Sequence, residues 1–199
     1  MRALYPDFLW RIPTKEKEIY LTFDDGPIPE VTEFVMEELA KFNAKATFFC
    51  IGDNIAKHSE VFQQVVNQGH TVGNHTFNHL KGWNTEQNVY LNNFDLCQAE
   101  IENKSKQSTN FFRPPYGRIK RNQAKEILKT HQIVMWDVLT ADYDQNINKE
   151  QVLKKTLQYT DDGSIVLFHD SIKASKNMMY ALPRMLEYFS EQGYAFKKM

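Results

Sequence analysis

Cysteine is almost missing from this chain. Cys50 and Cys97 are the only two in 199 residues. That scarcity excludes a disulfide framework as the organising device. One lies in the apolar run "ATFFCI" and the other in a predicted helix, and both read as buried free thiols. Long apolar runs are missing too. Nothing approaches the ~20 residues that a membrane-spanning helix needs. Charge of one sign is not in excess: 24 Lys and Arg face 25 Asp and Glu, for a net charge of −1. With no basic stripe, there is no electrostatic case for nucleic acid or an acidic membrane. Repeats, low-complexity tracts and linkers are absent, so the length fits a single domain with one sizeable core. The opening "MRALYPDFLWRIP" lacks the unbroken apolar stretch of a signal peptide, because Pro6 and Asp7 interrupt it. Cytoplasm is therefore the default expectation, with the cell envelope as the alternative if a leader has been removed. Residues 1–18 are expected to be a lead-in, packed by Tyr5, Phe8 and Trp10 onto a domain spanning 19–199.

What is present is alternation. "EIYLTF" (18–23) has strand composition, with Ile19, Leu21 and Phe23 on one face. Val31, Phe34, Val35, Leu39 and Phe42 recur at helical spacing. Further strands are predicted at 45–51, 70–75, 110–113, 133–138, 164–169 and 194–199. Helices are predicted between them, with Ser59 as one N-cap and Asn148 with Gln151 as a capping box. The longest helix is predicted at about 85–106. Unbroken strand–helix alternation argues for α/β with a largely parallel sheet. Polar clusters follow the strands ending at Phe23, Gly73, Arg113, Val138 and Phe168. A ring of polar loops at the carboxyl ends of strands favours a closed barrel over an open sheet.

Two clusters carry chemistry. In "HTFNH", His75 and His79 stand four apart, on one side of a helical turn or converging from a compact loop. The spacing suits imidazole ligation of a first-row metal, and a third ligand would make the site catalytic in type. Asp25, in "TFDDGP", is a candidate third ligand. Two His and one carboxylate leave positions open for water and substrate. Zinc is the first choice for such a set, and cobalt, manganese or iron could occupy it. The neighbouring Asp24 would point to the opposite face in a regular strand. A bend at Gly26-Pro27 would let both carboxylates serve one cavity, one on the metal and one accepting a proton from water.

"TFDDGP", "HTFNH", "RPPYG" and "LFH", in this order and each after a predicted strand, resemble the metal-dependent polysaccharide deacetylases of carbohydrate esterase family four. The resemblance covers about 19–196. It implies a distorted, TIM-like (β/α) barrel with fewer than eight complete repeats. It also implies hydrolysis of an N-acetyl, or O-acetyl, group of a carbohydrate by a metal-bound water. Asp24 would be the general base, and Asp25, His75 and His79 the ligands of one divalent ion. Arg113 would pair with and orient Asp24. Tyr116 would offer its backbone N–H to the oxyanion, on a loop stiffened by Pro114 and Pro115. His169 would be the general acid, held by Asp142 and raised in pKa by it. Trp136, Leu167 and Pro115 would contact substrate, the first two around the acetyl methyl.

One motif departs from the family pattern. "LTADY" has Leu139 where an acid is usual and Tyr143 where a tryptophan is usual. Asp142 keeps its place, so the change falls on the groove wall. Two alternatives stand beside the deacetylase: a non-catalytic sugar-binding relative, and an amidohydrolase acting on a non-carbohydrate amide. The implied partner is an acetylated carbohydrate. Neither nucleic acid nor a protein partner is implied.

Overall fold

Alternating apolar side chains run along β1 (Glu18–Asp24), an interior strand of the sheet. Ile19, Leu21 and Phe23 are fully buried on one face. In the computed structural model, which describes residues 5–199, β1 pairs in parallel with β2 (Thr47–Cys50) and with β7 (Ile165–His169). The remaining strands are β3 (Thr71–Asn74), β4 (Phe111–Phe112), β5 (Gln132–Ile133), β6 (Val138–Leu139) and β8 (Ala195–Lys197). Their order is β5-β4-β3-β2-β1-β7-β6, with β8 beside the start of β1. Every pairing is parallel. The parallel sheet is as the alternation predicted, and the distorted (β/α) barrel is as the motif resemblance implied. Parallel strands buried on both faces read as continuous apolar runs, which explains "TFFC" and "IVLF".

The helices are α1 (Val31–Lys41), α2 (Gly52–Lys57), α3 (Ser59–Asn67), α4 (Gln87–Ser105), α5 (Arg121–Ile127), α6 (Lys149–Tyr159) and α7 (Ser175–Glu191). α7 buries Met178, Leu182, Met185, Leu186 and Phe189 against the sheet. Full burial of each such side chain contributes about 1.5–3 kcal/mol before the entropy of ordering it. The capping box of α6 is present: Asn148 Oδ1 accepts from the Gln151 N–H at 2.8 Å. Ser59 is not an N-cap. It is the first residue of α3, and His58 occupies the cap position without a side-chain hydrogen bond. The short α2 just before it, not foreseen from periodicity, displaces the cap by one residue. No helix among the described residues is long and apolar enough to cross a membrane.

The strand predicted at 133–138 is two strands. Its first part pairs with β4 through the Val134 N–H to Phe112 C=O bond (2.8 Å). Its last part joins β7, with the Asp137 N–H donating to the Ile165 carbonyl at 3.2 Å. Met135 to Asp137 cross the gap between the two sheet edges. The run is continuous in composition because both ends are buried, but it changes partner midway. Leu9 fills the same gap, donating to the Ile133 carbonyl and accepting from the Met135 N–H. Phe8 is buried and stacks on Tyr5 at 4.8 Å. Residues 1–4 of the expected lead-in lie outside the described residues.

Candidate active site

Asp24 is the last residue of β1 and is buried, whereas Asp25 has left the strand with φ 85°. The reversal that brings both carboxylates to one cavity thus begins at Asp25 itself rather than at Gly26-Pro27. A left-handed φ costs a non-glycine residue about 1–3 kcal/mol unless its surroundings enforce it. Asp170 enforces it here. One oxygen accepts the Gly26 N–H at 2.9 Å and the other accepts the Thr32 hydroxyl at 2.6 Å. A Cβ on Gly26 would lie 1.9 Å from that carboxyl. Burial pushes the Asp170 carboxyl up to about 8, with its two hydrogen bonds opposing the rise. The reading from sequence left Asp170 unassigned, although its place beside His169 in "LFHD" was the available signal.

The histidine segment is a compact loop, with Thr76 and His79 both left-handed. The amide N–H groups of Gly52 and Asp53, opening α2, donate to the Thr76 and Phe77 carbonyls. The Asn93 side chain on α4 accepts from the Asn78 backbone N–H and donates to Asn78 Oδ1. Neither support had a local sequence signal. His75 donates from Nδ1 to the Arg113 carbonyl at 2.7 Å, which leaves the Nε2 lone pair free. Burial, helped by His79, holds His75 well below its ordinary pKa, so the imidazole is neutral as a ligand must be.

Asp25 Oδ1 lies 3.3 Å from His79 Nε2 and 3.8 Å from His75 Nε2. It is buried with no hydrogen-bond partner. A tetrahedral ion with bonds of ~2.0–2.1 Å sets its ligands roughly 3.3 Å apart. An orphaned carboxylate oxygen facing two imidazole nitrogens, all within 4.8 Å of one another, therefore fits a divalent cation.

Arg113 follows β4 and is fully buried. Its guanidinium donates to Asp24 Oδ1 (2.7 Å), the Thr22 hydroxyl (2.8 Å), and the Val134 and Met135 carbonyls. It also lies 4.1 Å over the Phe49 ring. A single side chain thus ties β1, β4 and the crossing segment together beneath the cavity. Asp24 Oδ2, 3.7 Å from His75 Nε2, is the oxygen left facing the site.

His169 ends β7. Its Nδ1 lies 2.8 Å from Asp142 Oδ1, and its own backbone N–H donates to Asp142 Oδ2 at 2.8 Å. Asp142 is fully buried and follows the left-handed Ala141. Burial alone would lower the His169 pKa. The Asp142 charge and hydrogen bond outweigh it, with Asp24 and Asp25 adding to the effect, and push it up to about 9.

Tyr116 has φ 60° in the turn Pro115–Gly117, and its ring rests on His79 at 4.6 Å. Among the described residues its N–H donates to no backbone carbonyl. Asp24, Asp25, His75, His79, Tyr116 and His169 open into one cleft of about 560 Å³, whose apolar wall includes Trp136 and Leu167; Arg113, Asp142 and Asp170 stand behind it. Pro115 does not line it. It is buried behind Tyr116, where it shapes the turn instead of meeting solvent. Leu139 and Tyr143, the departures in "LTADY", both line the cleft.

A family profile described as polysaccharide deacetylase matches residues 11–136. A peptidoglycan-N-acetylglucosamine deacetylase of Bacillus cereus is 34% identical over 189 residues, covering 94% of this chain and 88% of that protein. A peptidoglycan-N-acetylglucosamine deacetylase of Listeria monocytogenes is 33% identical over 90% of this chain, which spans 37% of the length of that relative. The crystal structure of a peptidoglycan N-acetylglucosamine deacetylase in complex with 4-naphthalen-1-yl-N-oxidanyl-benzamide superposes with a TM-score of 0.93. It is 27% identical, and the match covers 100% of this chain and 94% of that one.

Proposed function

Because the chain belongs to the polysaccharide deacetylase family, whose reaction is the hydrolytic removal of acetyl groups from a carbohydrate, we propose the following roles for its residues. Asp25, His75 and His79 hold a divalent ion, zinc first among the candidates. When bound, that ion supplies the Lewis acidity that lowers the pKa of water and polarises the acetyl carbonyl. Asp24 accepts the proton of the attacking water on Oδ2, since Oδ1 is held by Arg113. The Tyr116 N–H points its donor at the oxygen that becomes negative as water adds. His169, held through Nδ1 by Asp142, gives the Nε2 proton to the departing nitrogen as the C–N bond breaks and acetate leaves. Trp136 and Leu167 shelter the acetyl methyl. The substrate class is an N-acetylated glycan such as the N-acetylglucosamine strands named for the relatives.

One observation carries this reading. A proton acceptor and a proton donor open into one cleft beside an orphaned carboxylate that faces two imidazoles. The test is acetate release from N-acetylglucosamine oligomers by zinc-loaded protein. Asp24→Asn is expected to lose ~10²-fold or more in kcat, as removal of a positioned base does. Full activity in that variant refutes the assignment.

A further inference from the structure

The two sides of the cleft repeat one arrangement. On the β3–β4 side, the His79 ring meets Tyr116 at 4.6 Å, and Lys81 Nζ lies 5.7 Å over that tyrosine. On the β6–β7 side, the His169 ring meets Tyr143 at 4.9 Å, and Lys173 Nζ lies 5.7 Å over it. Arg118 and Lys173 line the cleft, Lys81 lies outside its lining beside Tyr116, and Arg118 sits 5.0 Å over the exposed Trp83. Among the described residues, Lys81, Arg118 and Lys173 form none of the ion pairs. The acids of the site are already matched: Asp24 by Arg113, and Asp142 by His169. Asp25 faces the ligand set. What remains at the mouth is uncompensated positive charge, on a chain whose net charge is −1.

Resting on the deacetylase reading, we propose that the cleft selects an acidic glycan. The sugars flanking the acetylated one carry carboxylates, which Lys173 receives on one side and Arg118 with Lys81 on the other. The aromatic faces of Tyr143 and Tyr116 suit the apolar faces of sugar rings, and a cation beside each ring suits a carboxylate projecting from the next sugar. Arg118 and Lys173 are exposed and Lys81 is half-buried, so a neutral glycan would leave all three with water alone as partner. The departure at Tyr143 then acquires a use, because it carries the ring over which Lys173 sits.

The test compares two oligosaccharides of equal length, one of N-acetylglucosamine alone and one alternating N-acetylglucosamine with glucuronic acid. Calorimetric binding and kcat/KM for acetate release are read on the wild type and on Lys173→Ala/Arg118→Ala. Exposed charge pairs are worth up to about fivefold each, so the acidic oligomer is expected to be preferred by roughly tenfold or more at low salt. That preference should reside in KM, weaken at ~0.5 M salt, and fall toward unity in the double variant. Lys173→Glu should reverse it, and Lys173→Arg should preserve it. Equal binding of both oligomers, binding of neither, or a preference that survives the double variant overturns the proposal. If no acetate is released from either oligomer, the deacetylase reading fails. The binding preference still decides the charge inference independently.

Discussion

Two buried carboxylates each hold a cation, and the difference between the cations separates their work. Asp24, at the centre of the barrel, is bonded to Arg113 at 2.7 Å. Asp142, behind the β6–β7 edge, is bonded to His169 at 2.8 Å. Arginine cannot give up its proton at any working pH. The cation of the Asp24 pair is therefore fixed, and the pair has no proton of its own to deliver. Histidine can give up its proton, so the Asp142 pair stores one and can deliver it. Position follows the same logic. Arg113 is fully buried and braced by Thr22, Asp24, the Val134 and Met135 carbonyls and the Phe49 ring, whereas His169 opens into the cleft.

The comparison breaks most sharply at the titratable pair. His169→Ala is expected to lower amide hydrolysis by about 10²–10⁴-fold while sparing an acetyl ester, whose leaving group needs less protonation. Equal losses on amide and ester, measured by acetate release, would contradict an acid role. At the fixed pair the effect is on the fold. Arg113→Ala leaves Asp24 buried without its cation and is expected to cost about 3–5 kcal/mol in denaturant unfolding. Arg113→Lys keeps the charge without the fork and should recover only part of that.

Smaller in effect, and more discriminating, is pH. His169 stands at about 9 when folded against an ordinary 6.5, a rise produced by Asp142 against the opposing effect of burial. Its contribution to stability is fully present below about 6.5 and is lost as pH rises through about 9. The acid form follows the same course, so kcat should fall about tenfold per pH unit above that limb. A cation on Asp25 moves the limb lower, because the Asp25 charge is one of its supports. Asp142→Asn should move it lower still, and a limb that stays in place would show that Asp142 does not set it. Smallest of all, Asn148→Ala removes the α6 cap, far from both pairs. It should cost about 1 kcal/mol in stability and leave the pH profile unmoved.

Much of the barrel was legible because buried parallel strands and amphipathic helices write local periodicity. β2, β3 and β7 fall within their predicted ranges and β1 runs one residue beyond its own, to Asp24; the Asn148 box and the apolar face of α7 are also where they were expected. The crossing at 133–138 was not, since a run buried at both ends looks the same whether or not it changes partner. The short α2 was missed because six residues carry too little periodicity to register. Within the site, residue type and spacing singled out Asp24, Asp25, His75 and His79, the family resemblance added Arg113, Asp142 and His169, and the fold brings them to one end of one sheet. Pro115 was misplaced, because a proline can shape a turn from inside it. Asp170, Asn93 and the amides opening α2 act through contacts distant in sequence.

Composition and periodicity sufficed for a parallel α/β sheet, and the order of four short motifs sufficed for the residue types of a hydrolytic site. Those properties are local, each written within a few neighbouring positions. Which oxygen of Asp24 is free, which nitrogen of His75 is free, and what turns Asp25 out of its strand are settled only when Arg113, the Arg113 carbonyl and Asp170 arrive from elsewhere in the chain. Hydrogen bonds and charge pairs of that kind depend on distances of a few ångströms between residues about 40 to 145 positions apart. No stretch of sequence read alone contains them.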